Sequence, residues 1–257
     1  MSGERHGKVY LVGAGPGAPD LLTLRAAGIL RRADVVFHDA LVHPGVVALA
    51  HRAHKVPVGK RCSQVSTDQR FINRSLVEAA RRHPVVVRLK GGDPMVFGRA
   101  QEEIDALQAA GIEFEVVPGV TAALGASADL GVSLTERGVS RSVVMVTPRV
   151  GKGERDSRWA EAVAAADTAV IYMGAGEAAA IAGHLIAKGV SLTTPVVVVE
   201  NASLPEGRRL PMMLWELPRV AEQGITGPAV IFVGEVFRRA CQDEACSFEA
   251  YGSAWFR

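Results

Sequence analysis

The chain has 257 residues, 48% of them hydrophobic and 22% charged, with a formal net charge of +2. This suits a globular protein with a substantial core, as one large domain or two small ones. The charge is too slight to imply a nucleic-acid partner, and no apolar run is long enough to span a membrane. Residues 1–6 are polar, so no signal peptide is expected. Cys62, Cys241 and Cys246 are odd in number and lack C-x-x-C spacing, which suits reduced thiols in a cytoplasmic protein.

In chain order, residues 8–12 read as a strand and lead into the glycine loop 13–17. Residues 20–32 read as a helix: Asp20 is a cap, Leu21, Leu24, Ala27, Ile29 and Leu30 form one face, and Arg31 and Arg32 suit its negative end. A strand at 33–37 ends at His38 and Asp39, and a short helix at 44–52 leads to a strand at 55–58. Phe71, Ile72, Leu76, Val77 and Ala80 give 67–82 helical spacing. Val85-Val-Val-Arg-Leu-Lys-Gly-Gly-Asp-Pro94 is an apolar strand stopped by glycines, aspartate and proline. A helix over 99–110, closed by Gly111, and a strand over 113–117 follow, then a small-residue helix opening at 118–123. After Gly138 the pattern begins again, with strands at 142–147, 168–172, 195–200 and 229–233 and helices at 159–166, 175–188 and 215–223. The alternation predicts an α/β fold with parallel pairing and helices on the sheet faces. The expected domains are 1–138 and 139–241, with a loosely ordered tail over 242–257 and a mobile charged loop over 151–158.

In such a sheet, ligands sit where strands end. Gly13-Ala14-Gly15-Pro16-Gly17-Ala18 fits G-x-G-x-x-A after a strand, and Asp39 stands where a dinucleotide enzyme keeps its ribose acid. A nicotinamide-dependent (NAD) oxidoreductase is therefore one reading. Pro16 opposes it by removing an N–H, and Pro19 delays the helix start. His51 and His54 have no partner with metal-site spacing, so no metal is expected. Met212 to Trp215 suit a core or a dimer contact.

Val12-Gly-Ala-Gly-Pro-Gly-Ala-Pro-Asp-Leu-Leu-Thr23 resembles the opening motif of the tetrapyrrole methylases. The resemblance continues, in family order, through Val58-Gly-Lys-Arg61, Arg88-Leu-Lys-Gly-Gly-Asp-Pro94, Phe97-Gly-Arg99 and Val117-Pro-Gly-Val-Thr-Ala122. Leu134-Thr135, Tyr172-Met-Gly174 and Gly227-Pro-Ala-Val230 complete it, over about residues 8 to 240. Within the family it is most similar to the enzymes that methylate uroporphyrinogen III twice, giving precorrin-2 for sirohaem, cobalamin or haem d1. The resemblance implies a two-domain α/β fold with the active site in the interdomain cleft, usually as a homodimer. It implies S-adenosylmethionine as methyl donor and S-adenosylhomocysteine as its product.

By that resemblance Pro16 lines the floor of the cleft, and Gly91, Gly92 and Asp93 take the methionine part of the cofactor with Val96 beside it. Thr121 and Ala122 offer polar groups at a helix start, and Met173, Ala202 and Ala229 surround the adenosine. Asp39 is implied as proton acceptor and Lys60 as proton donor, with Glu102 a second-ranked base. Guanidinium groups grip carboxylates in pairs, so Arg61, Arg99, Arg137 and Arg141 are clamps for an acid-fringed macrocycle. Arg99 and Glu103, four apart, also suit a simple intrahelical pair. The chain departs from the family at Ala18, His38, Ala40, Glu136, Pro148 and Arg149, mostly at macrocycle-side positions, which keeps a later corrin precursor open as the substrate.

Overall fold

In a computed structural model, which describes residues 6–59, 69–151 and 157–242, the first half of the chain builds one parallel sheet. Its strands are β1 (Lys8–Gly13), β2 (Val35–His38), β3 (His54–Pro57), β4 (Val85–Lys90) and β5 (Phe114–Val117), in the order β3-β2-β4-β1-β5. Every pairing is parallel, so the carboxyl ends of all five strands lie along one edge. Helices α1 (Leu24–Arg32), α2 (Pro44–Ala48), α3 (Gln69–Ala80) and α4 (Ala100–Ala109) cover the faces, and α5 (Ala122–Leu130) follows β5. Alternate strand residues feed opposite layers. Tyr10, Val12, Val36, Val87 and Leu89 pack with Ile29 and Leu30 of α1 and Val46 of α2. Val9, Val35, Phe37 and Val86 pack with Ile72 and Leu76 of α3 and Leu107 of α4. Each such side chain contributes about 1.5–3 kcal/mol when fully buried.

The expected helix over 20–32 is corrected. Asp20 lies in a single 3-10 turn, Pro19–Leu21, and the backbone is extended at Leu22 and Thr23. Thr23, not Asp20, caps α1: its side chain accepts the Ala26 N–H at 3.2 Å.

The second sheet takes β6 (Val143–Val146), β7 (Thr168–Tyr172), β8 (Pro195–Glu200), β9 (Arg208–Met213) and β10 (Ala229–Gly234) in the order β6-β7-β10-β8-β9. Only β6 and β7 pair in parallel; β7–β10, β10–β8 and β8–β9 are antiparallel. The expectation of parallel pairing therefore holds in the first sheet alone. Residues 201–207 join β8 to β9, too few for the crossover of about a dozen residues that a parallel pair needs. Two arginines and Pro211 hide β9 in the sequence, and a proline is tolerated there because the strand lies at the sheet edge. The expected α-helix at 215–223 is a 3-10 segment, Leu214–Gln223, with Pro218 inside it. Helices α6 (Trp159–Ala165) and α7 (Ala178–Ala187) join Leu214 and Leu217 in burying Ile171, Val196, Val198 and Ile231.

The chain divides into two compact units, 1–125 and 126–257. That division and the one expected at Gly138 both fall between β5 and β6. Residues 152–156 of the charged loop and 243–257 of the expected tail lie outside the described residues.

Candidate active site

Three loops meet backbone to backbone at the carboxyl edge of the first sheet. Ala14 N–H donates to Lys90 O (2.7 Å), Gly15 N–H to Gly92 O (3.2 Å) and Gly92 N–H to Gly15 O (2.7 Å). The third loop, after β5, presses on both: a β-carbon on Gly119 would lie 2.3 Å from Gly92 O and 2.8 Å from Gly13 Cα. Gly15 and Gly92 adopt φ of 77° and 65°, a region that favours glycine. Asp93 fastens the junction. Its Oδ2 accepts Gly119 N–H (2.9 Å) and its Oδ1 accepts Met95 N–H (2.8 Å).

Most of the residues expected to hold a cofactor in this unit are brought together here. A β-carbon on Gly92 would lie 3.8 Å from both Thr121 Cα and Ala122 N. Pro16 abuts α5, with its Cγ 2.7 Å from a β-carbon built on Gly125. Val96 is held to the same turn by its N–H, which donates to Asp93 O at 3.3 Å. Gly91 is exposed, and Thr121 is buried. Asp93 thus acts first as a backbone anchor, while its remaining lone pairs and negative charge stay available to a cation.

Asp39, at the end of β2, is tied to a buried ion cluster. Arg88 Nη2 donates to Asp39 Oδ1, and Arg88 Nε donates to Glu103 Oε1 at 2.8 Å. Lys90 Nζ donates to Glu103 Oε1 and Oε2 at 3.0 and 2.9 Å. Burial and then the neighbouring Arg88 guanidinium push the Lys90 ammonium down from 10.5. Burial works against the charge on Arg88, but Asp39 and then Glu103 outweigh it and raise the guanidinium above its ordinary value. Asp39 also lines a pocket of about 410 Å³ with His38, Ala40, Val42, Val47 and Lys55.

The roles of Arg88, Lys90 and Glu103 were not read from the sequence. A signal was present: Arg88 and Lys90 follow Val86 at a spacing of two on the strand face that packs against α3 and α4, so each needs an internal anion. Glu103 falls beside Ile104 on the buried side of α4. The expected Arg99–Glu103 pair is corrected for this reason. Glu103 is drawn inward, and Arg99 instead pairs with exposed Glu102, through Nε–Oε1 at 2.7 Å and Nη2–Oε2 at 2.8 Å. Lys60 and Arg61 lie outside the described residues.

In the second unit, Met173 follows β7, Ala202 follows β8 and Ala229 opens β10. Ala229 pairs with Glu200 and Val230 with Tyr172, so antiparallel register brings all three to one sheet edge. Met173, Asn201 and Ser203 there have φ of 57°, 52° and 64°, uncommon for residues with side chains. Buried Glu200 holds the approach to β10: its Oε1 accepts Thr226 N–H (2.7 Å) and Gly227 N–H (2.6 Å). Arg137 is exposed in the turn bridged by Glu136 and Ser140, apart from that edge. Arg141 is exposed, and its N–H donates to Asp167 Oδ2 at 2.8 Å.

Residues 8–218 match the profile of the tetrapyrrole (corrin/porphyrin) methylases. The chain belongs to this family. A siroheme synthase of Azotobacter vinelandii is 46% identical over 250 residues, 96% of this chain and 53% of the relative. One of Pseudomonas aeruginosa is 44% identical over 245 residues, 95% and 52% of the two chains. The chain spans about half the length of the curated relatives it matches. Among solved structures, uroporphyrin-III C-methyltransferase from Thermus thermophilus complexed with S-adenosyl homocysteine is 44% identical, with a TM-score of 0.79 over 91% of this chain and 100% of that one. A cobalt precorrin-4 methyltransferase is 25% identical, with a TM-score of 0.76 over 89% and 95%.

In this tetrapyrrole methylase the glycine loop does not do what its G-x-G-x-x-A pattern suggests. A pyrophosphate cradle needs free amides and a helix start close behind them. Here the Ala14 and Gly15 N–H groups are spent on β4 and the loop after it, and Pro16 has none. Helix α1 begins only at Leu24. The loop instead supports Gly91–Asp93, where the exposed Gly91 and an acidic side chain suit a compact cation such as a sulfonium.

Proposed function

We propose that the chain transfers methyl groups from S-adenosylmethionine to two ring carbons of uroporphyrinogen III, giving precorrin-2. What carries the reading is the locked junction of the three strand-end loops in a chain that aligns with all of a uroporphyrin-III C-methyltransferase. S-adenosylmethionine, when bound, supplies an electrophilic methyl group on a sulfonium. Gly91, Gly92 and Asp93 hold its charged end, with Pro16, Val96, Thr121 and Ala122 around it. Met173, Ala202 and Ala229 contact the adenosine. Fixed alignment, rather than a covalent catalyst, is the chain's main contribution to an in-line displacement.

Asp39 takes the proton released when the methylated ring carbon regains neutrality, and Lys60 donates one for tautomerisation. Arg61, Arg99 and Arg137 grip the acid side chains of the macrocycle. Glu102 holds the Arg99 fork until a substrate carboxylate replaces it. We further propose a homodimer and a cytoplasmic location, on family resemblance and the cysteine pattern. Among the described residues, no helix is long and apolar enough to cross a membrane.

Incubation with uroporphyrinogen III and S-adenosylmethionine tests the substrate. A product carrying two added methyl groups is expected. Unchanged uroporphyrinogen III beside a methylated later corrin precursor transfers the assignment to that precursor.

A further inference from the structure

Three charged side chains stand inside an otherwise apolar layer of the first unit. Arg88 and Lys90 are 3% exposed and Glu103 is wholly buried. Taking such ions out of water costs roughly what their attraction returns, so apolar residues of similar volume would fold about as well. Stability therefore does not explain the cluster, but its one contact with the sheet edge does. Arg88 has no freedom left: Nε is fixed on Glu103 Oε1 (2.8 Å), Nη1 on Leu89 O (3.2 Å) and Nη2 on Asp39 Oδ1. Glu103 is held in turn by Lys90 at both oxygens and by Gln69 Nε2 at 3.1 Å. At the far end, the Asp39 side chain is 29% exposed. Among the described residues, its Oδ2 accepts no hydrogen bond.

We propose that Arg88, braced by Glu103 and Lys90, is a positioning residue that fixes the Asp39 carboxylate by one oxygen and leaves the other aimed at the proton it removes. This rests on the reading of Asp39 as proton acceptor. An aspartate on a strand-end loop would otherwise swing about two side-chain torsions, and a displacement of about 1 Å at a reacting group lowers a rate by about 100-fold. A lysine at position 88 has one nitrogen and cannot hold Asp39 and Glu103 with the geometry of a planar fork.

The test measures methyl transfer by the whole chain carrying Asp39→Asn, Arg88→Met, Arg88→Lys, and each Arg88 substitution combined with Asp39→Asn. Melting temperature and S-adenosylhomocysteine affinity report folding. Arg88→Met is expected to lower kcat by about 100-fold while cofactor affinity stays within about two-fold. Arg88→Lys, which keeps the buried charge, is expected to recover part of the rate and to carry the test if Arg88→Met does not fold. Added to Asp39→Asn, either substitution should change kcat by less than about two-fold, because a group acting through Asp39 has nothing left to position. Losses that multiply in the double variants, or a folded Arg88 variant with full activity beside an inactive Asp39→Asn, overturn the positioning role and leave Asp39 in place. Full activity of Asp39→Asn removes the base and the proposal together.

Discussion

At Gly119 a β-carbon would lie 2.3 Å from the Gly92 carbonyl oxygen and 2.6 Å separates a β-carbon on Gly13 from Gly119 Cα. Neither neighbour is a flexible side-chain end; both are backbone atoms of the loops that follow parallel strands. Gly119→Ala should therefore cost about 1–3 kcal/mol by overpacking and weaken S-adenosylhomocysteine binding, since the Gly91–Asp93 turn must shift. Urea unfolding and titration check this; unchanged stability and affinity would mean that the junction yields easily. Gly91 and Gly92 were legible in the sequence as the glycines that stop a strand, but the backbone contact of Gly92 with Gly119 was not. Gly92 and Gly119 lie on different strand-end loops, and only the pairing of β1 with both β4 and β5 puts them together. Asp93 was likewise legible as an acid at a strand end, while its bond to Gly119 N–H depends on the same pairing. Arg88 in its strand and Glu103 in its helix escaped reading because a charged residue in either element is usually on a solvated face.

Among elements, the β-branched runs located nine strands, and the misses cluster where backbone chemistry overrides apolar pattern. β9 carries Pro211 and two arginines, α1 starts after Thr23 because extended residues break the turn at Pro19–Leu21, and Pro218 keeps Leu214–Gln223 in 3-10 form. One side chain ties the start of β6 to that of β7. Asp167 Oδ2 accepts N–H groups from Arg141 (2.8 Å) and Ser142 (2.9 Å) and the Ser142 hydroxyl (2.8 Å). The Arg141 N–H first, then the Ser142 groups, hold this carboxyl below its ordinary 3.8. A depressed folded value means that the unfolded chain binds the proton first as pH falls. The stabilisation is complete well above 3.8 and is lost as pH drops through the folded value. Asp167→Asn should thus be less stable than the parent near neutrality, with the gap closing below about pH 4. Unfolding midpoints across pH measure it, and a gap that persists unchanged into acid would contradict the account.

At the scale of the whole chain, two sheets of five strands solve two different problems. The all-parallel sheet places five strand ends, and therefore five loops, along one edge, where a ligand can be surrounded by backbone. The mixed sheet reaches a similar end differently: β10 runs against β7 and β8, so its first residue, Ala229, joins the residues after their last. The α/β class was legible from alternation, but strand direction in the second half was not, because loop length decides it and β9 was hidden. The glycine pattern alone fits a dinucleotide loop, but the Ala14 and Gly15 N–H groups are spent on Lys90 O and Gly92 O, which favours the proposed methyl-donor site over a pyrophosphate cradle. Calorimetric titration of the intact chain with S-adenosylhomocysteine and, separately, with NAD measures that distinction most directly. Saturable binding of S-adenosylhomocysteine and no heat from NAD are expected; saturable NAD binding without any response to S-adenosylhomocysteine would contradict the methyl-donor site.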